Sequence, residues 1–392
     1  MSGGATGTAG AGATGTGATG TGVTGFDTAA IDALVGDGPA AWDAAGRIPV
    51  ELLRELGAMG VLCAEVPARF GGPGRTGQEN GELTAHVGAL CSSLRSVMTV
   101  QGIAAAVVRR FGDREQRRRY LGQLTSGRLA CVGFSEPGAG SDLGGMTTRI
   151  RPAEDGSGDL IVSGEKMWIT GAAYADLVMV VGRYGDGPDG AAAMVPTDAP
   201  GVRIEPVAAP LGCRAATHCR IVLDDVRIPA DAVLGGGRQP LALLFTVGLS
   251  YGRMSVAWGC VGILRACLTA AVGEARTREQ GGGPIGEHQL VARHIAELYT
   301  SERIATQVCR HAAEQWDRTA PDAAVTAVLA KQVAATHATR GAATAVQVLA
   351  SRGFTDGHVV ARAYRDAKAM ELIEGSTEIS QLILARHALD RL

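Results

Sequence analysis

Four segments of the chain carry residue types that could do chemistry. The first is Gly133-Phe-Ser-Glu-Pro-Gly-Ala-Gly-Ser-Asp142, directly after a β-like run. Its small residues let backbone N–H groups approach a phosphate or ring oxygen, and Ser135 and Ser141 add hydroxyls. The second is Gly164-Glu-Lys-Met-Trp-Ile-Thr-Gly171. On a strand, Trp168 and Thr170 share a face. The indole can cover a flat heteroaromatic ring while the threonine hydroxyl bonds to it. The third, residues 275–289, sets Arg276 and Arg278 beside a glycine loop, and arginine suits bidentate contact with a diphosphate. The fourth is Tyr364-Arg-Asp-Ala-Lys-Ala-Met-Glu-Leu-Ile-Glu-Gly-Ser-Thr-Glu-Ile379, where Glu374 stands in apolar company before a glycine and two hydroxyl residues. An apolar setting raises a carboxylate's pKa and makes it a usable base near neutral pH. Each segment alone also has a plainer reading: a turn, a core tryptophan, a surface ion-pair cluster, a solvated helix face.

The elements that must position these residues fall into three blocks. Residues 26–127 read as an N-terminal helical domain, with apolar i, i+3, i+4 spacing after Ile48-Pro49. Over 128–237 the period changes to two. The runs 130–134, 160–165, 177–182, 191–195 and 220–226 predict strands of a small antiparallel barrel or sandwich. Residues 238–392 return to helical spacing. Four long segments, 241–279, 287–318, 321–352 and 358–390, predict a four-helix bundle. The fold class expected is therefore α+β and multidomain. Residues 1–25 are almost only Gly, Ala, Thr and Ser and predict a disordered tail. The formal GxGxxG at 15–20 has no strand before it and no amphipathic helix after it, so it carries no dinucleotide reading.

Composition excludes several classes. A net charge of −2, with no basic patch interleaved with aromatics, argues against nucleic-acid binding. No run reaches the roughly 18 apolar residues of a membrane span, and the N-terminus lacks a signal-peptide pattern. The eight cysteines form no CxxC and show no zinc spacing, which predicts reduced, buried thiols in the cytoplasm and no metal site. His288 and His294 are six apart and would sit on different faces of a helix.

Together and in this order, the four segments resemble the acyl-CoA dehydrogenase superfamily across residues 27–390. The resemblance implies FAD as cofactor and Glu374 as catalytic base, in an element similar to the family's Glu-Gly-(Thr/Ser). It implies flavin contacts from Ser135, Ser141, Trp168, Ile169, Thr170, Ser376 and Glu378. Arg278 and Gln280 would reach the flavin of a neighbouring subunit, with Gln289 close by. Gln347 and Ser351 fall at the diphosphate segment. Substrate contacts implied are Arg253, Ser141 and Gly375. Three positions depart from the pattern: Gly281 replaces a phenylalanine, Ala350-Ser351 a Gly-Gly, and Gly171 an asparagine.

A narrower resemblance is carried by Cys91-Ser-Ser-Leu-Arg-Ser-Val-Met-Thr99, Gly212-Cys-Arg-Ala-Ala216, Tyr251-Gly-Arg253, residues 255–267 and Gly357-His-Val-Val360. These strings are similar to the branch that serves the methoxymalonyl carrier-protein pathway of polyketide synthesis. That branch implies a substrate held on an acyl carrier protein, with a glyceryl-derived three-carbon unit oxidised at C3 toward hydroxymalonyl. Through Arg278 and Gln280, the family resemblance implies a homodimer or homotetramer, and with it an electron acceptor for reduced FAD. Abstraction of an α-proton and oxidation of a C3 hydrate would use the same base. A catabolic short-chain dehydrogenase acting on free acyl-CoA, and a non-catalytic protein that keeps the fold, are the alternatives.

Overall fold

The computed structural model describes residues 25–391. The glycine-rich tail up to residue 24, with its GxGxxG, lies outside them. The N-terminal block holds α1 (Thr28–Val35), α2 (Gly38–Ala45), α3 (Val50–Ala58), α4 (Gly77–Leu90) and α5 (Ser92–Phe111). A broken last helix follows, with α6 (Arg114–Gln116), a π-helical turn at Arg117–Leu121 and α7 (Gly122–Thr125). Sequence explains where these helices start. Pro49 precedes α3. Thr76 and Glu79 form a reciprocal capping box on α4, with bonds of 3.1 and 2.9 Å. α5 is buried on nearly every face, so its polar residues must find partners inside the protein. Gln101 does so by accepting from the Ala130 N–H at 2.7 Å and donating to the Arg128 carbonyl at 2.8 Å. That pair fastens α5 to the sheet.

The central block has seven strands: β1 (Ala130–Gly133), β2 (Arg149–Pro152), β3 (Leu160–Ile169), β4 (Leu177–Tyr184), β5 (Gly190–Pro196), β6 (Val202–Pro206) and β7 (Cys219–Ile228). The sheet is mixed, not antiparallel throughout. β1 and β2 both run parallel to β4, along successive stretches of it, while β5 is antiparallel to β4. The pairs β2–β3, β3–β7 and β6–β7 are also antiparallel. The long excursion between β1 and β4 lets the chain re-enter in its original direction, which a tight hairpin cannot do. β2 and β6 escaped the periodicity because each is short, partly exposed and interrupted by charge.

The C-terminal block comprises α8 (Leu241–Thr277), a two-stranded hairpin of β8 (Glu279–Gln280) and β9 (Gly283–Pro284), α9 (Gln289–Asp317), α10 (Ala323–Leu349), α11 (Val359–Leu372) and α12 (Thr377–Arg391). The expected fourth helix over 358–390 is thus two helices, broken at residues 373–376. α8 is the axis of the molecule, packed by α4, α5, α9, α10 and α11. It contains a window long and apolar enough to cross a membrane, but that window is mostly buried inside the protein. Small residues let the helices close in. A Cβ on Gly262 would lie 2.3 Å from the Ala85 carbonyl oxygen of α4. All eight cysteines are free and buried.

Candidate active site

Glu374 sits in the break between α11 and α12. Its φ is 56° and that of Gly375 is 94°. Positive φ costs a glutamate conformational energy, so the surroundings must hold the turn. Two cations do this. Lys331 on α10 is fully buried and donates to the Gly375 carbonyl at 2.6 Å and to the Glu371 carbonyl at 3.2 Å. Arg253 on α8 donates from Nε to the Glu374 carbonyl at 3.0 Å. The side chain itself is left free. Glu374 Oε2 is buried and has no hydrogen-bond partner. Burial pushes the carboxyl up to a pKa of about 7, against the opposing charges of Arg253, Lys331 and Arg95. An unbonded carboxylate tuned near neutrality can take a proton from a bound molecule. Among the described residues, no hydrogen bond uses the backbone N–H of Glu374 or Gly375. Both remain able to donate to a ligand carbonyl.

The glycine-rich loop and β3 form a second wall. Glu136 anchors the loop by accepting from Thr147 N at 2.6 Å, Thr147 Oγ1 at 2.7 Å, Thr148 N at 2.9 Å and Lys166 Nζ at 2.9 Å. Burial opposes its ionisation, yet the hydrogen bonds from Thr148 and Lys166, with the lysine charge, hold its pKa at about 2. The Met167 N–H donates to the Ser135 carbonyl at 2.9 Å and ties the loop to β3. Past that point the strand is irregular. Trp168 has φ of 61°, and the register with β7 shifts between Lys166 and Ile169. The bulge turns the indole outward. Trp168 is 56% exposed, which overturns the plainer reading of a core tryptophan, while Ile169 packs into the sheet. Thr170 Oγ1 lies 3.1 Å from Nδ1 of His218, and burial lowers His218 to about 4, so its ring is neutral. Open space surrounds Gly138 and Gly140, and Ser141 is exposed beside them.

One helix face brings the two walls together. A Cβ on Gly248 of α8 would come within 2.5 Å of the Phe134 ring, at the head of the loop. One turn later, a Cβ on Gly252 would come within 2.2 Å of Glu374 Oε2. Positions i and i+4 share a face, so glycine at both lets α8 seat the loop and the base side by side. An exposed indole, a hydroxyl, a glycine cradle and a free buried carboxylate together fit a flavin and its substrate.

The remaining expected contacts are elsewhere. Arg278 ends α8, about 40 Å of helix from Gly252 at 1.5 Å per residue. Its Nη1 is 3.5 Å from Glu274 Oε1, and the other oxygen of that carboxylate bonds Arg352. Gln280, Gln289, Gln347 and Ser351 are exposed, and Ser351 adjoins that arginine. Ser376 and the exposed Glu378 open α12 beside the base. Gly281, at φ 66°, places the His288 ring where a larger side chain would stand. Among the described residues, no group of three or more His, Cys, Asp and Glu could hold a metal.

Reading the sequence missed Lys331, Gly252, His218 and Arg95. A usable signal existed for the first. Of 37 basic residues only three are lysine, and two of these, Lys166 and Lys331, are fully buried. In an arginine-rich chain a lone lysine on an apolar helix face is worth marking.

Comparison with known proteins agrees with this geometry. Three family models cover almost the whole described chain: the acyl-CoA dehydrogenase N-terminal domain over 30–128, the middle domain over 131–226 and the C-terminal domain over 243–389. A probable acyl-CoA dehydrogenase of Bacillus subtilis, YngJ, is 34% identical over 88% of this chain and 92% of its own. The human mitochondrial short-chain specific acyl-CoA dehydrogenase is 29% identical over 87% and 83%. Among solved structures, FkbI, described as serving biosynthesis of the methoxymalonyl extender unit of the FK520 polyketide, is 56% identical. It superposes with a TM-score of 0.88 over 93% of this chain and 99% of that one. A glutaryl-CoA dehydrogenase of Mycobacterium smegmatis has been solved in complex with FADH2, at 26% identity, a TM-score of 0.85 and coverage of 93% and 95%. With the fold, the free carboxylate and all three domain models in agreement, this chain belongs to the acyl-CoA dehydrogenase family of FAD-dependent oxidoreductases.

Proposed function

We propose that the enzyme is a dehydrogenase of a short acyl thioester held on an acyl carrier protein. It oxidises a glyceryl-derived three-carbon unit at C3 toward hydroxymalonyl, for supply of a methoxymalonyl extender unit in polyketide synthesis. The observation that carries this reading is the 56% identity to FkbI over nearly the full length of both chains. The other relatives quoted stand near 30%.

The site residues support a division of labour. Bound FAD supplies the two-electron acceptor for the hydride. Trp168 and Thr170, with the backbone of Ile169, would hold its ring, and Ser135, Ser141 and Ser376 would add hydroxyl contacts. Glu374 takes the proton from a hydroxyl of the C3 hydrate as C3 gives up its hydride, leaving a carboxylic acid. The N–H groups of Glu374 and Gly375 hold the thioester carbonyl, which fixes the chain relative to the base. Arg253 keeps the Glu374 turn in place. Arg278, Gln280 and Gln289 serve the flavin of a neighbouring subunit, so the active form is a dimer or tetramer. A separate acceptor reoxidises the cofactor, and the enzyme works in the cytoplasm.

The test is intact-mass analysis of a semialdehyde-loaded carrier protein after incubation with the enzyme. A gain of one oxygen is expected. A loss of two hydrogens would replace C3 oxidation by α,β-dehydrogenation. An unchanged carrier, together with anaerobic flavin bleaching by butyryl-CoA, would replace the whole reading by a catabolic short-chain dehydrogenase acting on free acyl-CoA.

A further inference from the structure

The Thr170 hydroxyl is not free to turn as it pleases. Its Oγ1 lies 3.1 Å from Nδ1 of His218, in the segment that leads into β7. That segment is fastened on both sides of the imidazole. The Ala216 carbonyl accepts from the Gly171 N–H at 2.8 Å, and the His218 carbonyl accepts from the Val207 N–H at 2.8 Å. Ile169 stands opposite Cys219 in the strand register. The residues flanking Thr170 are thus clamped to residues close on either side of His218. Between them Thr217 carries a φ of 49°, a strained conformation that persists only where the surroundings over-determine it. The imidazole also meets the Trp168 indole edge-on, with ring centroids 6.0 Å apart at 63°. One histidine therefore touches both side chains that would hold the flavin ring.

Its charge state gives that contact a use. Burial, helped by the nearby Arg95 cation, keeps the ring neutral. A neutral imidazole has one N–H and one lone pair, whereas an imidazolium can only donate. Among the described residues, Thr170 Oγ1 has no other partner, and Nε2 of His218 has none. A threonine hydroxyl carries one hydrogen and two lone pairs. If Nδ1 donates to it, the threonine hydrogen is left for a ligand. If Nδ1 accepts from it, only lone pairs are left. A flavin responds to this difference, because a hydrogen bond donated to the ring favours its electron-rich reduced form.

We propose that His218 is a positioning residue, which fixes the direction of the Thr170 hydroxyl toward bound FAD and so sets the reduction potential of the cofactor. This rests on the preceding reading, in which Thr170 holds the flavin ring. His218 acts through Thr170 and needs no contact of its own with the cofactor.

The test is the two-electron reduction potential of bound FAD, measured across a double-mutant cycle. His218→Leu removes the bond and should shift the equilibrium between oxidised and reduced FAD at least about tenfold, near 30 mV. A fall in potential marks Nδ1 as the donor in wild type, and a rise marks it as the acceptor. Thr170→Val keeps the shape, loses the hydroxyl and should shift the potential as well. Adding His218→Leu to Thr170→Val should then change the equilibrium by no more than about twofold, the scatter of uncoupled sites. His218→Asn sets an amide near the place of Nδ1 and should restore the wild-type potential. His218→Phe keeps a ring beside Trp168 and serves if the leucine variant does not fold. An unchanged potential in His218→Leu would overturn the proposal. So would an equal shift with and without the Thr170 hydroxyl, the mark of a merely structural role. An unchanged potential in Thr170→Val would overturn it together with the placement of Thr170 at the flavin, which tells the two failures apart.

Discussion

A carboxylate that is buried and unbonded is a conflict unless something makes use of it. At Glu374 the conflict shows as a pKa of about 7, set first by burial. Turnover of the free enzyme should therefore rise with pH up to about 7 and level off above, with kcat/KM as the measurement. Stability should run the other way. The folded protein keeps a proton that the unfolded chain releases above its ordinary value of 4.5. This group's contribution is thus complete below 4.5 and lost as pH rises through 7. Glu374→Gln removes that loss, so the variant's Tm should exceed wild type at pH 8 and match it at pH 5. The neighbouring glycine is as constrained as the base. Gly252→Ala would drive a methyl into the carboxylate. It should cut turnover at least about tenfold through displacement of the base, since a misplacement near 1 Å costs up to a hundredfold. Flavin content should be unchanged.

At the scale of elements, the break between α11 and α12 is what turns a helix residue into an active-site residue. Lys331 holds it from α10. Lys331→Met would strand two carbonyls and remove a charge that favours the ionised base. Turnover should fall, and the acid limb of the pH profile should move to higher pH. A lysine that merely filled space would leave that limb where it was. The order of helices and strands was legible from periodicity, and so were the loop at 133–142 and the Glu-Gly-Ser turn, because each is local in sequence. Three things were not. β2 and β6 are too short and too charged to show a period. The parallel pairing to β4 depends on a long connection, which carries no local pattern. The outward turn of Trp168 depends on a bulge against β7. Lys331, Gly252 and Arg95 stand on α10, α8 and α5, and only the packing of the other two helices on α8 brings them together.

For the whole molecule, the separation along α8 is the informative quantity. Arg278 lies about 40 Å of helix from Gly252, which faces the base, and Ser351 about 30 Å along α10 from Lys331, which holds its turn, too far for one flavin to touch both ends within one chain. On the proposed reading, the two ends would belong to sites shared between subunits, with the base from one and Arg278 from its neighbour. Arg278→Ala should lose FAD on dilution, and Glu374→Gln should keep it. Co-refolded mixtures of these two inactive variants should recover about a quarter of wild-type turnover if subunits pair at random in a dimer with one shared site per base. No recovery from a mixture shown to contain heterodimers would confine each site to one chain.

Glu374 is the proposed acceptor of the proton, and single-turnover reduction of the bound flavin tests that role most directly. Wild type and Glu374→Gln, each loaded with one FAD per chain, would be mixed anaerobically with a semialdehyde-loaded carrier protein. Flavin bleaching would then be followed in time. Bleaching at least about a hundredfold slower in the variant, with FAD occupancy unchanged, is the predicted result. Bleaching at a rate within a few fold of wild type would contradict it.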